Sequence, residues 1–173
     1  VDFCVPTGNF GDILAGYYAK QMGLPVGRLV CASNRNNVLT DFLRTGTYDA
    51  RRTFYKTTSP SMDILISSNL ERLLYHVSGS SEKVAGWMQE LSATGKYTVD
   101  AETLAKIQQS FAAGYADDAD GAAEIKARFD GDHYLCDTHT AVAFRVAETR
   151  RTDAPMVVLS TASPFKFPRD VLT

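Results

Sequence analysis

Two closely spaced glycines stand in the segment Thr7-Gly8-Asn9-Phe10-Gly11-Asp12, between an apolar β-branched run and a helical pattern. We call residues 7–12 the glycine loop. Gly8 and Gly11 can take positive φ and expose backbone N–H groups. The following helix adds the positive end of its dipole, so the segment predicts a site for a phosphate dianion. The same residues also fit a tight turn without a ligand, and Asp12 fits either a helix cap or a ligand-facing position.

The cysteines and histidines suggest no second reactive site. The three cysteines are far apart and form no Cys-x-x-Cys pair. Cys4 and Cys31 lie inside apolar, strand-like runs, so we predict that these two are small buried residues in a reducing, cytoplasmic environment. The three histidines share no spacing typical of zinc ligands, and no metal site is expected. These residues are Cys4, Cys31, Cys136, His76, His133 and His139.

The composition is that of a soluble globular domain. The chain has 173 residues, of which 45% are hydrophobic and 22% charged, with a net charge of −2. A surface for nucleic acid or anionic lipid would need clustered Lys and Arg. No apolar run approaches the roughly 18 residues of a membrane-spanning helix. We therefore expect no nucleic acid and no membrane among the partners.

Strand and helix patterns alternate around the glycine loop. Residues 1–5 and 28–32 are predicted strands, whereas residues 12–22 and 38–43 are predicted helices. This order is the unit of a parallel sheet with helices packed outside, so the predicted fold class is α/β. A buried strand is predicted at residues 156–159, where the sheet resumes.

The middle of the chain has a different character. Residues 47–63 lack a period and predict a long functional loop, and residues 64–132 predict a mainly helical insertion. The first helix of this block follows a capping box, Ser68-Asn69-Leu70-Glu71. A short strand at residues 133–136 and a helix capped by Asp137 are predicted next. The apolar stripes of the block, interpreted as core-facing, are Leu70, Leu73, Leu74 and Val77; Val84, Trp87, Met88 and Leu91; Leu104, Ile107 and Phe111; and Ile125 and Phe129.

The glycine loop resembles the phosphate loop of threonine synthases of the bacterial and fungal type. Further segments are similar to that family in order and spacing from end to end. They are Ala32-Ser33-Asn34-Arg35-Asn36-Asn37, Ser61-Met62-Asp63-Ile64, Asp137-Thr138-His139-Thr140-Ala141-Val142-Ala143 and Ser160-Thr161-Ala162-Ser163-Pro164-Phe165-Lys166-Phe167-Pro168. The resemblance implies a fragment of a fold-type II pyridoxal phosphate enzyme. Residues 1–173 would be the C-terminal portion of its large domain.

The family's reaction is what the resemblance implies for the whole protein. A threonine synthase is a carbon–oxygen lyase of threonine biosynthesis. It converts O-phosphohomoserine and water to L-threonine and phosphate through an aldimine with pyridoxal 5'-phosphate, which acts as an electron sink.

The family's site residues carry over to matching positions. The cofactor phosphate would lie on Gly8, Asn9, Phe10, Gly11 and Asp12. Thr161 would provide a neutral hydroxyl partner for the pyridine nitrogen. Asn34, Asn36 and Asn37 follow the second strand and are substrate-side candidates, although turn and capping roles are equally open.

The chain departs from the family in two ways. Ser163 and Phe165 stand where the family often has His and Ala, and no lysine has the context of the family's Schiff-base lysine. Lys166 belongs to the C-terminal loop. The resemblance therefore implies that no catalytic residue lies in this chain and that the chain alone is inactive.

The ends of the chain suggest a piece of a longer protein. The strand at residues 1–5 begins abruptly, and residues 169–173 begin an element that is not finished. We expect the missing N-terminal part of the enzyme, which would carry the lysine, to be the main partner. Without its strands, a sheet edge would be left uncovered through which the fragment can self-associate.

Two other functions fit parts of the sequence. One is another fold-type II enzyme, such as a threonine dehydratase or cysteine synthase; the segment at residues 61–63 and the loop at residues 161–168 argue against it. The other is a non-catalytic threonine synthase-like protein that binds a phosphorylated metabolite or a partner. The intact glycine loop favours cofactor binding.

Overall fold

The computed structural model describes residues 1–172, so Thr173, the last residue of the predicted final element, lies outside the described residues. Strands and helices alternate along most of the chain. In chain order they are β1 (Asp2–Pro6), α1 (Gly11–Gln21), β2 (Leu29–Ser33), α2 (Val38–Thr45), β3 (Thr47–Asp49), α3 (Leu70–Ser78), α4 (Ser81–Thr94), β4 (Lys96–Thr98), α5 (Ala101–Gln108), β5 (Phe111–Tyr115), α6 (Asp118–Asp132), α7 (Thr138–Thr149), β6 (Met156–Val158) and α8 (Pro168–Leu172). Two 3-10 turns, Pro60–Met62 and Pro164–Lys166, lie in the loops.

A parallel sheet organises the fold, and the predicted α/β class is confirmed. Its strand order is β5-β2-β1-β6, and all three pairings are parallel. The carboxyl ends of β1 and β6 therefore meet at one edge of the sheet, where open α/β sheets bind ligands. A second, antiparallel pair joins β3 to β4.

Helices cover the sheet on both faces. On one face, α1 and α2 pack against a core that contains Phe10, Phe42 and Tyr48. On the other face, α7 packs against Cys4 and Val30. The two faces are distinct because alternate residues of a strand point to opposite sides.

The helix ends follow local rules. Gly46 and Gly95 take φ values of 76° and 75° and end α2 and α4, which only glycine does without strain. The side chains of Asp100 and Asp137 accept backbone N–H hydrogen bonds at the starts of α5 and α7, and the predicted cap at Asp137 is confirmed.

The predicted burial of Cys4 and Cys31 is confirmed. Cys4, Cys31 and Cys136 are buried free thiols. Burial raises the pKa of Cys4 and of Cys31 to about 12, and the pKa of Cys136 to about 11. Thiols that stay protonated at neutral pH are poor nucleophiles.

Two secondary-structure predictions in the middle of the chain are wrong. Phe111 belongs to strand β5, whose residues pair with Leu29–Ser33, so the third helix ends before it. The block at residues 64–132 is mainly helical, but β5 makes it part of the main sheet as well. The predicted strand at residues 133–136 is absent, because His133 takes a left-handed conformation at the end of α6 and turns the chain away.

The last strand is present but is not buried as predicted. β6 pairs only with β1 among the described strands, and the side chain of Val157 is 43% exposed. The capping box at residues 68–71 is also wrong, since α3 begins after Asn69 with no side-chain cap. The Ser68 hydroxyl makes a different contact, described below.

None of the helices formed by residues 1–172 combines the length and the apolar character that a membrane crossing requires.

Candidate functional site

A cavity of about 230 Å³ lies at the carboxyl ends of β1 and β6. The glycine loop forms one wall, and Pro6 continues it toward β1. The remaining lining residues come from three other segments, which are far apart in the sequence. They are Ser61 and Met62 of the first 3-10 turn, His139 of α7 and Thr161 of the loop after β6.

The positive φ of the glycine loop belongs to Phe10, not to the glycines. Phe10 precedes α1 with a φ of 64°, whereas neither Gly8 nor Gly11 uses the positive φ that is open to glycine. A left-handed conformation costs a non-glycine residue about 1–2 kcal/mol. The ring of Phe10 is 1% exposed and packs on Phe111 with 5.5 Å between centroids. Burial of this ring offsets the backbone cost.

The two glycines meet different surroundings. A Cβ on Gly8 would lie 2.9 Å from the Met62 Cα and 3.3 Å from the Ser61 carbonyl oxygen, so the fold itself excludes a side chain there. A Cβ on Gly11 would find only the Asn69 amide nitrogen, at an ordinary 3.5 Å. The protein leaves the space in front of Gly11 open.

A run of backbone donors faces this space. The N–H groups of Gly8 through Asp12 donate to no acceptor within residues 1–172, because the first turn of α1 has no preceding turn to accept them. Such donors at a helix N-terminus suit an anion. The residue at the N-cap position is Phe10, so the capping role considered for Asp12 is wrong. Asp12 lies in the first turn and lines the cavity.

Asn9 is held from outside the loop. Its side-chain oxygen accepts hydrogen bonds from the Ser68 backbone N–H at 2.7 Å and the Ser68 hydroxyl at 2.9 Å. The Asn69 amide donates to the Asn9 carbonyl at 2.8 Å. The amide Nδ2 of Asn9 has no acceptor in the described part of the chain, which leaves it as a donor at the cavity.

His139 is a lining residue that sequence reasoning did not assign to the site. Its ring is 2% exposed, and its Nδ1 lies 2.9 Å from the Asp137 carboxylate. Its Nε2 accepts the backbone N–H of Ser61 at 3.2 Å, so the hydrogen bonds assign the proton to Nδ1. Ser61 and His139 stand 78 positions apart, and no spacing rule connects them. The available signal was that both lie in segments resembling the same family.

Asp137 is the anchor of this arrangement. Its carboxylate is buried and also accepts the backbone N–H of His139 and the hydroxyl of Thr140. Burial raises the pKa of Asp137, but the hydrogen bonds from His139 and Thr140 outweigh it, and the net pKa lies below the usual value. Asp137 is therefore ionised at neutral pH.

The loop after β6 brings Thr161 to the same cavity as the glycine loop. The connection is tertiary, because β1 and β6 are neighbours in the sheet although the sequence separates them widely. No lysine is among the residues that line the cavity. Lys166 lies outside it, with its Nζ 5.4 Å from the centroid of the Phe167 ring.

The three asparagines after β2 do not line this cavity. Asn34 and Asn36 are buried, and their amides donate to Asp63 at 2.8 and 3.0 Å. The Asn37 oxygen accepts a bond from Arg52 at 2.9 Å. Asn34 and Asn36 thus anchor the loop at residues 50–63. The loop predicted at residues 47–63 is too long, because Thr47–Asp49 forms β3 and pairs with β4. A contact of Asn34, Asn36 or Asn37 with substrate stays a prediction.

Comparison with known proteins places the chain in one family. A family model described as "Threonine synthase, C-terminal" matches residues 140–173. The threonine synthase of Pseudomonas aeruginosa is 43% identical over 99% of the chain, and human threonine synthase-like 1 is 42% identical over 96% of it. The crystal structure of PLP-bound threonine synthase from Brucella melitensis superposes with a TM-score of 0.96 and 47% identity over 99% of the chain.

The chain spans only part of these relatives. It covers 37% of the Pseudomonas protein and of the Brucella structure, and 23% of the human protein. The parallel sheet flanked by helices matches the fold-type II architecture of the solved threonine synthases. With the sequence, the fold and the family model in agreement, this chain belongs to the threonine synthase family.

Proposed function

We propose that this chain is part of a threonine synthase and that its cavity holds the phosphate of pyridoxal 5'-phosphate. The whole protein would convert O-phosphohomoserine and water to L-threonine and phosphate. The observation that carries the proposal is the run of unpaired backbone N–H groups at the start of α1, which faces the same cavity as Thr161.

The donor set fits a phosphate monoester. The N–H groups of residues 8–12 and the positive end of α1 favour a dianion without a charged side chain. The Asn9 Nδ2 adds one more donor, because Ser68 holds the opposite end of that amide. The missing side chain at Gly11 keeps the approach open.

Thr161 would orient the far end of the cofactor. When bound, the pyridoxal group supplies an electron sink for removal of protons from the substrate carbon skeleton. The Thr161 hydroxyl is a neutral partner for the ring nitrogen and does not force its protonation as a carboxylate would. The loop after β6 holds this residue on the rim of the cavity that the glycine loop lines.

The lysine that binds the cofactor would come from the rest of the protein. No lysine lines the cavity, and the relatives are much longer than this chain. β6 leaves one edge unpaired among the described strands, so it is the place where further strands of the same protein would continue the sheet. We therefore propose the N-terminal part of the enzyme as the partner of this chain.

A second candidate is a non-catalytic protein that retains cofactor binding. The 42% identity to human threonine synthase-like 1 supports it. The two candidates share the phosphate cavity and differ in turnover. Release of phosphate from O-phosphohomoserine by the full-length protein would favour the enzyme, and cofactor binding without turnover would favour the second candidate.

The cavity is tested by changing Gly11 in the full-length protein that carries this chain. Gly11→Val would place methyl groups in the open space before the N–H donors, and cofactor affinity should fall at least tenfold. Gly86→Val is the matched control, since Gly86 is an exposed residue of α4 and a Cβ there would meet no other atom within 4 Å. Equilibrium dialysis against pyridoxal phosphate measures both variants. Equal affinities for Gly11→Val and the unchanged protein would contradict the proposal.

A further inference from the structure

We propose that the Ser61 hydroxyl is an additional ligand of the cofactor phosphate, and that the Asp137–His139 pair is the positioning unit that holds Ser61 at the cavity. The inference rests on the proposed function and adds a side-chain donor to its phosphate site, since Ser61 lines the same cavity as the glycine loop.

Ser61 is placed to meet an anion in this cavity. It lines the cavity and is exposed, and its hydroxyl has no hydrogen-bond partner within residues 1–172. Its carbonyl oxygen lies 3.3 Å from the position of a Cβ on Gly8, so the turn packs directly on the glycine loop. A hydroxyl donor here would complement the backbone donors of residues 8–12.

The His139 ring that holds Ser61 is itself fixed on several sides. The Asp137 carboxylate accepts a hydrogen bond from the Nδ1–H group at 2.9 Å, which leaves Nε2 as the acceptor for the Ser61 N–H. Phe167 packs on the ring with 4.9 Å between centroids. Because the ring is buried, rotation would leave polar groups unpaired in the interior.

A second anchor fixes the other end of the turn. Asp63 accepts hydrogen bonds from the Asn34 amide at 2.8 Å and from the Thr57 backbone N–H at 2.9 Å. The turn at Pro60–Met62 is thus tied down on both sides of Ser61.

Ser61, the residue that the Asp137–His139 pair holds, contributes little to the hydrophobic core. Ser61 is exposed, yet a buried carboxylate and a buried imidazole act in series to hold its backbone. A small exposed hydroxyl residue that is held against the glycine loop can donate a hydrogen bond to a ligand in the cavity.

The experiment uses the full-length protein with Ser61→Ala, His139→Asn, His139→Gln and the double variant Ser61→Ala/His139→Asn. Asn retains a donor to Asp137 and loses the acceptor for Ser61, whereas the Gln side chain can place an amide oxygen near the former Nε2. Thr58→Ala is the matched control, because Thr58 lies in the same loop and donates to Asp118. For each variant we would measure the Kd for pyridoxal phosphate, the KM for O-phosphohomoserine and the Tm of the apo-protein.

Loss of one hydrogen bond to a charged group predicts a roughly tenfold rise in the Kd of Ser61→Ala. His139→Asn should raise the Kd by a similar factor, His139→Gln by less, and Thr58→Ala not at all. The double variant should bind no more weakly than Ser61→Ala, because His139 acts on the phosphate through Ser61. The KM for O-phosphohomoserine should change less than the Kd.

Two results would overturn the inference. The first is an unchanged Kd in Ser61→Ala; if the KM for O-phosphohomoserine rises in the same variant, the hydroxyl is assigned to the phosphate of the substrate. The second is an equal loss of cofactor affinity from His139→Asn in the wild-type and Ser61→Ala backgrounds, which indicates a purely structural role. If Gly11→Val abolishes cofactor binding while Ser61→Ala does not, the proposed function stands and this inference fails. If the unchanged protein binds no pyridoxal phosphate, both fail.

Discussion

Ser68 donates two hydrogen bonds to the side-chain oxygen of Asn9, one from the Ser68 backbone N–H at 2.7 Å and one from the Ser68 hydroxyl at 2.9 Å. Ser68 therefore links the segment before α3 to the glycine loop, and its side chain does not cap α3. The contact fixes which end of the Asn9 amide faces the cavity. The oxygen is turned to Ser68, and the nitrogen remains available for an anion.

Asn9→Asp tests this orientation. Aspartate keeps the oxygen that Ser68 binds, but it replaces the amide donor with a second oxygen and a negative charge beside the proposed phosphate site. We expect the affinity for pyridoxal phosphate in the full-length protein to fall by at least tenfold, from repulsion and the lost donor. Ser68→Ala should weaken cofactor binding less, by about 1 kcal/mol, because the backbone N–H of residue 68 still donates to Asn9. Equilibrium dialysis checks both, and wild-type affinity in Asn9→Asp would show that Asn9 does not face the phosphate.

The two loop glycines should respond differently to a single methyl group. Gly8→Ala forces the turn at Ser61–Met62 away from the loop, and overpacking of this kind costs about 1–3 kcal/mol. Gly11→Ala meets only ordinary contacts, so its apo-protein should melt close to the wild-type Tm. Thermal unfolding without cofactor compares the pair. Equal losses of Tm would contradict the close approach at Gly8.

Thr161→Val removes the hydroxyl proposed to face the ring nitrogen and keeps the shape of the side chain. The lost partner should cost about 1–3 kcal/mol, expressed as slower turnover with cofactor retained. Thr98→Val is the control, because Thr98 pairs with Thr47 in the small sheet. Steady-state kinetics with the cofactor content measured in parallel tests the prediction. Wild-type kcat in Thr161→Val would exclude the role at the ring nitrogen.

The three cysteines should resist thiol reagents while the protein is folded. Burial raises the pKa of Cys4 and Cys31 to about 12, so at pH 8 only about one thiol in ten thousand is ionised. Reactivity should rise only as the pH approaches these values or as the protein unfolds. A colorimetric disulfide reagent at pH 8 measures the rate with and without denaturant. Fast labelling of the folded protein at either residue would contradict the burial.

The chain of residues 1–173 by itself should form no threonine from O-phosphohomoserine. A Schiff base needs a lysine amine within about 3–3.5 Å of the aldehyde, and no lysine lines the cavity. The test is incubation with pyridoxal phosphate, borohydride reduction and mass spectrometry. Stoichiometric labelling of one lysine together with phosphate release would place the catalytic lysine inside this chain. Size-exclusion chromatography of the same sample reports self-association through the β6 edge.

Local patterns were sufficient for much of the fold. The strand at the start of the chain, the glycine loop, α1 and the second strand follow one another as predicted, because hydrophobic periodicity and glycine ends act over a few residues. The caps at Asp100 and Asp137 are equally local. The same patterns failed at Phe111, where an apolar position at helical spacing pairs in the sheet with Leu29. Pairing with a distant strand overrides a short-range pattern.

By itself, the sequence determined the α/β class, the position of the glycine loop and the family to which the chain belongs, since each of these depends on residues close together in the chain or on their order. Only the tertiary structure decided that Phe10 takes the positive φ, because the conformation is stabilised by the distant ring of Phe111. It also decided that Ser61 and His139 meet at the cavity, across 78 positions of sequence. Contacts of that range depend on how strands and helices pack, and short-range spacing carries no record of them.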